Sequence, residues 1–253
     1  MYITILGSGT NLHPSRAAAG YLLETDHAFL VDFGPGTLKN LTHTDIDRHS
    51  IDHLFFTHHH PDHLSDFIPF FFDAVIASKL RIQKIPRKYL HILGPVGTRK
   101  IFGSILRTFP SFHPPPFEVK IQNLNETVFY LGKTKITTRY MKHSSILRAL
   151  GYRIEYEGKI LVYSGDAEYS ENLKELCHNA DIAILDCSFP SNIPKMNHMN
   201  ALECGRIAKE ADVKTLILSH FYPICEKHNL IKESSSVFHG KILLATDRLR
   251  VKV

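Results

Sequence analysis

The segment Thr57-His-His-His-Pro-Asp-His63 holds the densest chemistry in the chain. Within it His58, His60, Asp62 and His63 form the pattern HxHxDH, directly after the apolar run Ile51–Thr57. A loop just past a strand end can turn several side chains toward one point. Imidazole nitrogens and a carboxylate oxygen gathered there suit Zn²⁺ and similar borderline ions. The middle histidine, His59, is expected to point away from that focus. Three further residues each stand just past an apolar run. They are His143 after Lys135–Tyr140, Asp166 in Leu161-Val-Tyr-Ser-Gly-Asp166, and His220 in Leu216-Ile-Leu-Ser-His220. Loops at strand ends are where sites are mounted on a rigid frame, and these three would complete the donor set of a two-ion site.

The elements that must position these residues can be read from periodicity and punctuation. Tyr2–Leu6, Tyr21–Leu23 and Phe29–Val31 read as strands, separated by Gly7, Gly9 and the turn Asp32-Phe-Gly-Pro-Gly36. A helix is expected from His63 through Asp66 to Lys79, with Phe67, Phe70, Phe71 and Phe72 in the core. Tyr89–Leu93 follows as a buried strand and Val96–Phe109 as a helix that stops at Pro110. The second half repeats this logic. Lys135–Tyr140, Gly151–Tyr156 and Lys159–Ser164 read as strands, Asn172–Asn179 as a helix, Ile182–Asp186 as a continuous apolar strand, and Asn200–Ala211 as a helix. Thr215–Ser219, Lys241–Ala245 and Leu249–Val253 close the chain as strands. Strands with interspersed helices, twice over, imply two sheets packed face to face with helices outside.

Composition narrows the class. The chain has 253 residues, 43% hydrophobic and 22% charged, the balance of an ordinary globular protein and not of a disordered tail. That length suits one domain, residues 1–253. The apolar stretch around Phe67–Phe72 is broken by Pro69 and Asp73, short of the ~18 residues of a membrane span, so no membrane partner is expected. The start, MYITILGSGT, lacks the basic region of a signal peptide. Cys177, Cys187, Cys204 and Cys225 are too widely spread for a metal knuckle, and a reducing cytoplasmic location is the expectation. The net charge of +5 permits an anionic substrate without demanding one, because no dense Lys/Arg run exists. The loose basic cluster Lys79, Arg81, Lys84, Arg87 and Lys88 reads as a solvated face.

Taken together, Asp32 in VDFGPGT, HxHxDH at 58–63, His143, Asp166 and His220 resemble the motif succession of the metallo-β-lactamase superfamily, over nearly the whole chain. The resemblance implies a mixed α/β, four-layer αββα sandwich with two divalent metal ions at one edge. Zn is the favoured ion, with Mn or Fe as alternatives. It implies that one ion takes His58, His60 and His143, that the other takes Asp62, His63 and His220, that Asp166 bridges them, and that Asp32 orients a ligand. Two divalent ions against Asp62, Asp166 and a bridging hydroxide leave a net charge of about +1, a favourable place for a phosphodiester anion. The same hydroxide could attack a lactone carbonyl, and a mononuclear iron oxygenase is another use of such a fold.

Within the superfamily the absence of a Cys ligand and the final His of HxHxDH speak against β-lactam hydrolysis. Met196-Asn-His198-Met-Asn200 resembles the HxT segment of the ribonuclease Z group and its phosphodiesterase relatives, with Asn200 in place of Thr. The resemblance implies that His198 protonates the leaving group and that Asp62 aligns the nucleophile. Only 22 residues separate His143 from Asp166, too few for the flexible arm with which bacterial tRNA-processing members grip tRNA. The expected activity is therefore that of a compact, dinuclear phosphodiesterase with a ribonuclease Z-like site, acting on a phosphodiester that includes RNA among its candidates. Close relatives often form homodimers, an assembly the resemblance admits.

Overall fold

A computed structural model describes all 253 residues. The first half contains β1 (Tyr2–Gly7), β2 (Gly20–Glu24), β3 (Ala28–Phe33), α1 (Thr37–Leu41), β4 (His53–Phe55), α2 (Pro61–Leu64), α3 (Phe67–Lys79), β5 (Tyr89–Pro95), α4 (Thr98–Thr108) and β6 (Glu118–Leu124). The second half contains β7 (Thr127–Leu131), β8 (Thr134–Met141), β9 (Ala149–Tyr156), β10 (Lys159–Tyr163), α5 (Glu171–Cys177) and β11 (Ile182–Asp186). It continues with α6 (Ala201–Glu210), β12 (Thr215–Ser219), α7 (Leu230–Ser235), β13 (Lys241–Leu244) and β14 (Arg250–Lys252).

The strands form two seven-stranded sheets, ordered β14-β1-β2-β3-β4-β5-β6 and β13-β12-β11-β10-β9-β8-β7. Each sheet is antiparallel on one side and parallel on the other, and the parallel runs are β3 to β6 and β10 to β13. Alternation decides which side chains meet where, since successive residues of a strand face opposite ways. Ile3, Ile5, Tyr21, Leu23, Phe29, Val31 and Phe55 join a core shared with the second sheet and its helices. Their neighbours Leu22, Leu30, Leu54 and Phe56 instead pack with Phe67, Phe70, Phe71 and Phe102 from α3 and α4. The sheets are pinned together by Tyr21 against Tyr163, ring centroids 4.4 Å apart. The Tyr152 hydroxyl also donates to the Phe56 carbonyl at 2.8 Å. The layering is the expected helix–sheet–sheet–helix sandwich.

Several expectations are corrected. The helix read through to Lys79 is two helices, broken at Ser65 and Asp66, and α3 carries Pro69 in its first turn, where no intrahelical N–H is required. Phe72 is exposed and not core, because it lies on the face of α3 away from the sheet. Arg87 does not belong to the basic face: it is buried, with its guanidinium donating to the carbonyls of Ile51 and Arg48 and to Asp52. Strands β6 and β7 were not among the expected strands. They lie at the sheet edges, and most of their residues are not buried.

Candidate metal centre

The predicted residues converge just past the C-terminal ends of four strands, three of them from the parallel runs. His58 and His60 follow β4, His143 follows β8, Asp166 follows β10 and His220 follows β12. Asp62 and His63 sit on the single-turn helix α2, which opens with Pro61 at its first position. Gly34 lets that turn approach β3: a Cβ there would meet the Asp62 carbonyl oxygen at 1.8 Å. Asp32, Asn197 and His220 adopt φ values of 57°, 60° and 63°, left-handed conformations that side chains rarely hold and that cluster at functional sites.

Asp166 stands at the centre. Its Oδ2 lies 3.6 Å from His58 Nε2 and 3.8 Å from His143 Nε2, while His60 Nδ1 is 2.8 Å from His58 Nε2 and 3.4 Å from His143 Nε2. Its Oδ1 lies 3.1 Å from His63 Nε2 and 3.2 Å from His220 Nε2, and Asp62 Oδ2 is 3.7 Å from His220 Nε2. Each carboxylate oxygen therefore faces a different group of donors.

The opposite ring nitrogens fix the tautomers. His63 Nδ1 is 2.7 Å from Asp32 Oδ2 and donates to it, and His143 Nδ1 donates to the Asn197 carbonyl at 2.7 Å. The Thr57 hydroxyl gives its proton to Asp32, so it accepts from His58 Nδ1 at 3.0 Å. The Ser188 hydroxyl donates to Asp186 and accepts from His220 Nδ1 at 3.0 Å. With these protons directed outward, the Nε2 lone pairs of His58, His63, His143 and His220 all point inward at Asp166. Asp166 Oδ1 is buried and accepts no hydrogen bond. Lone pairs and carboxylates aimed at one another repel unless positive charge stands between them, either a proton taken up on Nε2 of an imidazole or a metal ion. The donor set thus fits metal ions, and His58, His60, His143 and Asp166 form one potential ion-holding group, Asp62, His63 and His220 another.

The same field acts on protons. Burial opposes a charge on His63, yet the Asp166 and Asp32 carboxylates hold it well above the usual histidine range. His220 is pushed up to about 10 against its burial, first by Asp166. Asp166 stays well below the usual carboxylate range despite burial, because His220, His63 and His58 surround it. Burial and the neighbouring His63 push His58 well down. Divalent ions entering the cluster would compete with the protons on His63 and His220.

His198 lies beside the cluster, its Nδ1 2.7 Å from Asp186 Oδ2 and 4.0 Å from Asp166 Oδ2. Burial works against its charge, but the Asp186 carboxylate raises it above the ordinary histidine value. Asp186 is held down to about 2 in spite of burial, chiefly by His198. Two residues later Asn200 caps α6, accepting from the Glu203 N–H at 3.0 Å while Glu203 accepts from the Asn200 N–H at 3.1 Å. That capping box fixes the chain on which His198 stands. His59 points elsewhere, to Thr98 Oγ1 at 2.9 Å.

The model of the β-lactamase superfamily domain matches residues 27–221. The chain belongs to the β-lactamase superfamily. It is a hydrolase of the metallo-β-lactamase fold. Ribonuclease Z of Mycobacterium marinum is 26% identical to this superfamily member, covering 99% of this chain and 98% of its own. The probable metallo-hydrolase YhfI of Bacillus subtilis is 28% identical over 97% of each chain. The crystal structure of YhfI has a TM-score of 0.85, covering 99% of this chain and 98% of that one. Human tRNase Z, short form, shares the fold with a TM-score of 0.80 at 19% identity, over 100% of this chain and 99% of that one.

Sequence reasoning missed the partners behind the cluster. Asp186, Ser188, Thr57 and Tyr163 orient the histidines or Asp32, and Tyr163 donates to Asp32 Oδ2 at 2.9 Å. Only Asp186 left a trace, as an acidic residue ending a wholly buried apolar strand. The others are partners by folding alone.

Proposed function

We propose that this superfamily hydrolase is a dinuclear phosphodiesterase with a ribonuclease Z-like site. The observation that carries the reading is the division of Asp166, one oxygen toward each group of imidazoles, beside the His198–Asp186 pair. His58, His60 and His143 would hold one ion, Asp62, His63 and His220 the other, with Asp166 between them. Zn²⁺ suits the nitrogen-rich set. Two divalent ions bound there would polarise the phosphoryl oxygens, supply a water-derived nucleophile at neutral pH and steady the leaving oxygen.

The protein's own groups do the rest. Asp62 is held down to about 2, burial being outweighed by His220 and His63, so it stays ionised and accepts a hydrogen bond that aligns the attacking water. Asp32 fixes His63 and Thr57, and through Thr57 it fixes His58. His198, kept protonated by Asp186, donates its proton to the departing alkoxide. The mycobacterial relative named ribonuclease Z supports an RNA phosphodiester as substrate. The connection from His143 to Asp166 is filled by β9, a two-residue turn and β10, which supports a substrate gripped without a long arm.

The reading is tested by offering the zinc-reconstituted protein a dinucleoside phosphate and γ-butyrolactone side by side. The expected result is chelator-sensitive cleavage of the diester and none of the lactone. Lactone turnover with an intact diester would make the chain a carboxylic-ester hydrolase.

A further inference from the structure

Beside the site, against His198 and His220, lies a feature that the chemistry above leaves unused. Phe189 and Tyr222 stack on one another, ring centroids 4.9 Å apart and planes 21° apart. His198 stands edgewise to both, at 6.1 Å and 5.8 Å. Both residues are half-buried, and neither belongs to the two hydrophobic cores of the fold. Large rings left out of a core and held beside the histidines of a charged site call for an explanation, since burial would otherwise stabilise them. They are also held firmly. The Phe189 carbonyl accepts the Ala201 N–H at 3.1 Å, and Phe221, next to Tyr222, donates its N–H to Ser8 at 3.0 Å. Tyr222 itself heads the short helical turn Pro223–Lys227.

We propose that the Phe189–Tyr222 pair is the platform on which a nucleobase of the substrate stacks. This rests on the phosphodiesterase reading and narrows it. A flat ring face takes any base by stacking and needs no hydrogen-bond code. The placement suits a nucleotide. His198 neighbours both, its ring 6.1 Å and 5.8 Å from the two rings of the platform and its Nδ1 4.0 Å from Asp166 Oδ2. A phosphate at the cluster and a base on the rings would leave the sugar alongside the proton donor. A lactone or a small aliphatic diester would gain nothing from two stacked rings. The competing explanation is that the rings only shield His198 from water.

The experiment measures binding and needs no turnover. The zinc-loaded protein is titrated with 2-aminopurine riboside 5′-monophosphate, followed by fluorescence, and with ribose 5-phosphate, followed by calorimetry. Stacking should quench the fluorescence. Phe189→Leu and Tyr222→Leu should each raise the nucleotide Kd by about tenfold while moving the ribose 5-phosphate Kd by less than about twofold. Tyr222→Phe keeps the ring and should keep the quenching. Equal affinity of the native protein for both ligands, or equal weakening of both in the variants, would overturn the platform. Quenched binding without cleavage of any diester would leave the platform standing and remove the phosphodiesterase reading.

Discussion

Asp166→Asn is expected to reduce diester hydrolysis to the background rate. The substitution keeps the size of the side chain and removes the one charge that both groups of imidazoles share. An amide also replaces one of the two ion-facing oxygens with an N–H₂ that cannot bind an ion, so the link between the two groups is lost. The fold should survive, because the amide keeps the volume of the side chain and what Asp166 faces are the imidazoles of the cluster. A second readout follows from linkage. In chelator-treated protein His220 has its proton affinity raised to about 10, against burial and first by Asp166. Its protonation therefore stabilises that fold fully below the ordinary histidine value of about 6.5 and is lost as the pH climbs through the raised value. The Tm of the ion-free native protein should fall across that window, and Asp166→Asn should flatten the slope. Turnover retained in Asp166→Asn would remove the two-ion account.

His198→Ala should slow cleavage of a dinucleoside phosphate by about 10²–10⁴-fold, the contribution of a positioned general acid. The effect should nearly vanish with a p-nitrophenolate leaving group, which departs as a stable anion and needs no proton. A structural role would slow both substrates alike. The pH profile gives the sign. His198 must be protonated to act, so the rate falls as the pH rises through its elevated value. Burial opposes that elevation and Asp186 supplies it. In Asp186→Asn burial prevails, and the alkaline limb should move to lower pH. An unmoved limb would take the proton-donor role from His198.

The parts of this site that could be read from the sequence are those that local rules dictate. HxHxDH lies within one short segment, a strand-end loop running into the single-turn helix α2, and His143, Asp166 and His220 each follow a strand, so strand-end logic found them all. Apolar runs punctuated by Gly and Asp marked β1 to β5 of the first sheet, and the apolar run Ile182–Asp186 marked a central strand of the second. What escaped depends on tertiary neighbours. Thr57 and Ser188 carry no signal, since a hydroxyl that relays between a carboxylate and an imidazole looks like any other hydroxyl. Arg87 looked like surface charge, but the carbonyls of Ile51 and Arg48 draw it inward. Strand β6 carried a signal that was passed over, Val119 and Ile121 alternating with Glu118, Lys120 and Gln122, while β7 is a short edge strand in which Val128, Phe129, Tyr130 and Leu131 follow one another with no such contrast. The Phe189–Tyr222 stack joins residues that are distant in the chain and came together only in the fold.

The account rests above all on two ions held around Asp166 and acting on a phosphodiester. The most direct test is a zinc titration of chelator-stripped protein while hydrolysis of bis(p-nitrophenyl) phosphate is followed, a substrate that needs no proton donor. The account predicts no turnover without zinc and a rate that rises to a plateau at two equivalents per chain. A full rate at one equivalent, or no turnover with two ions bound, would contradict it.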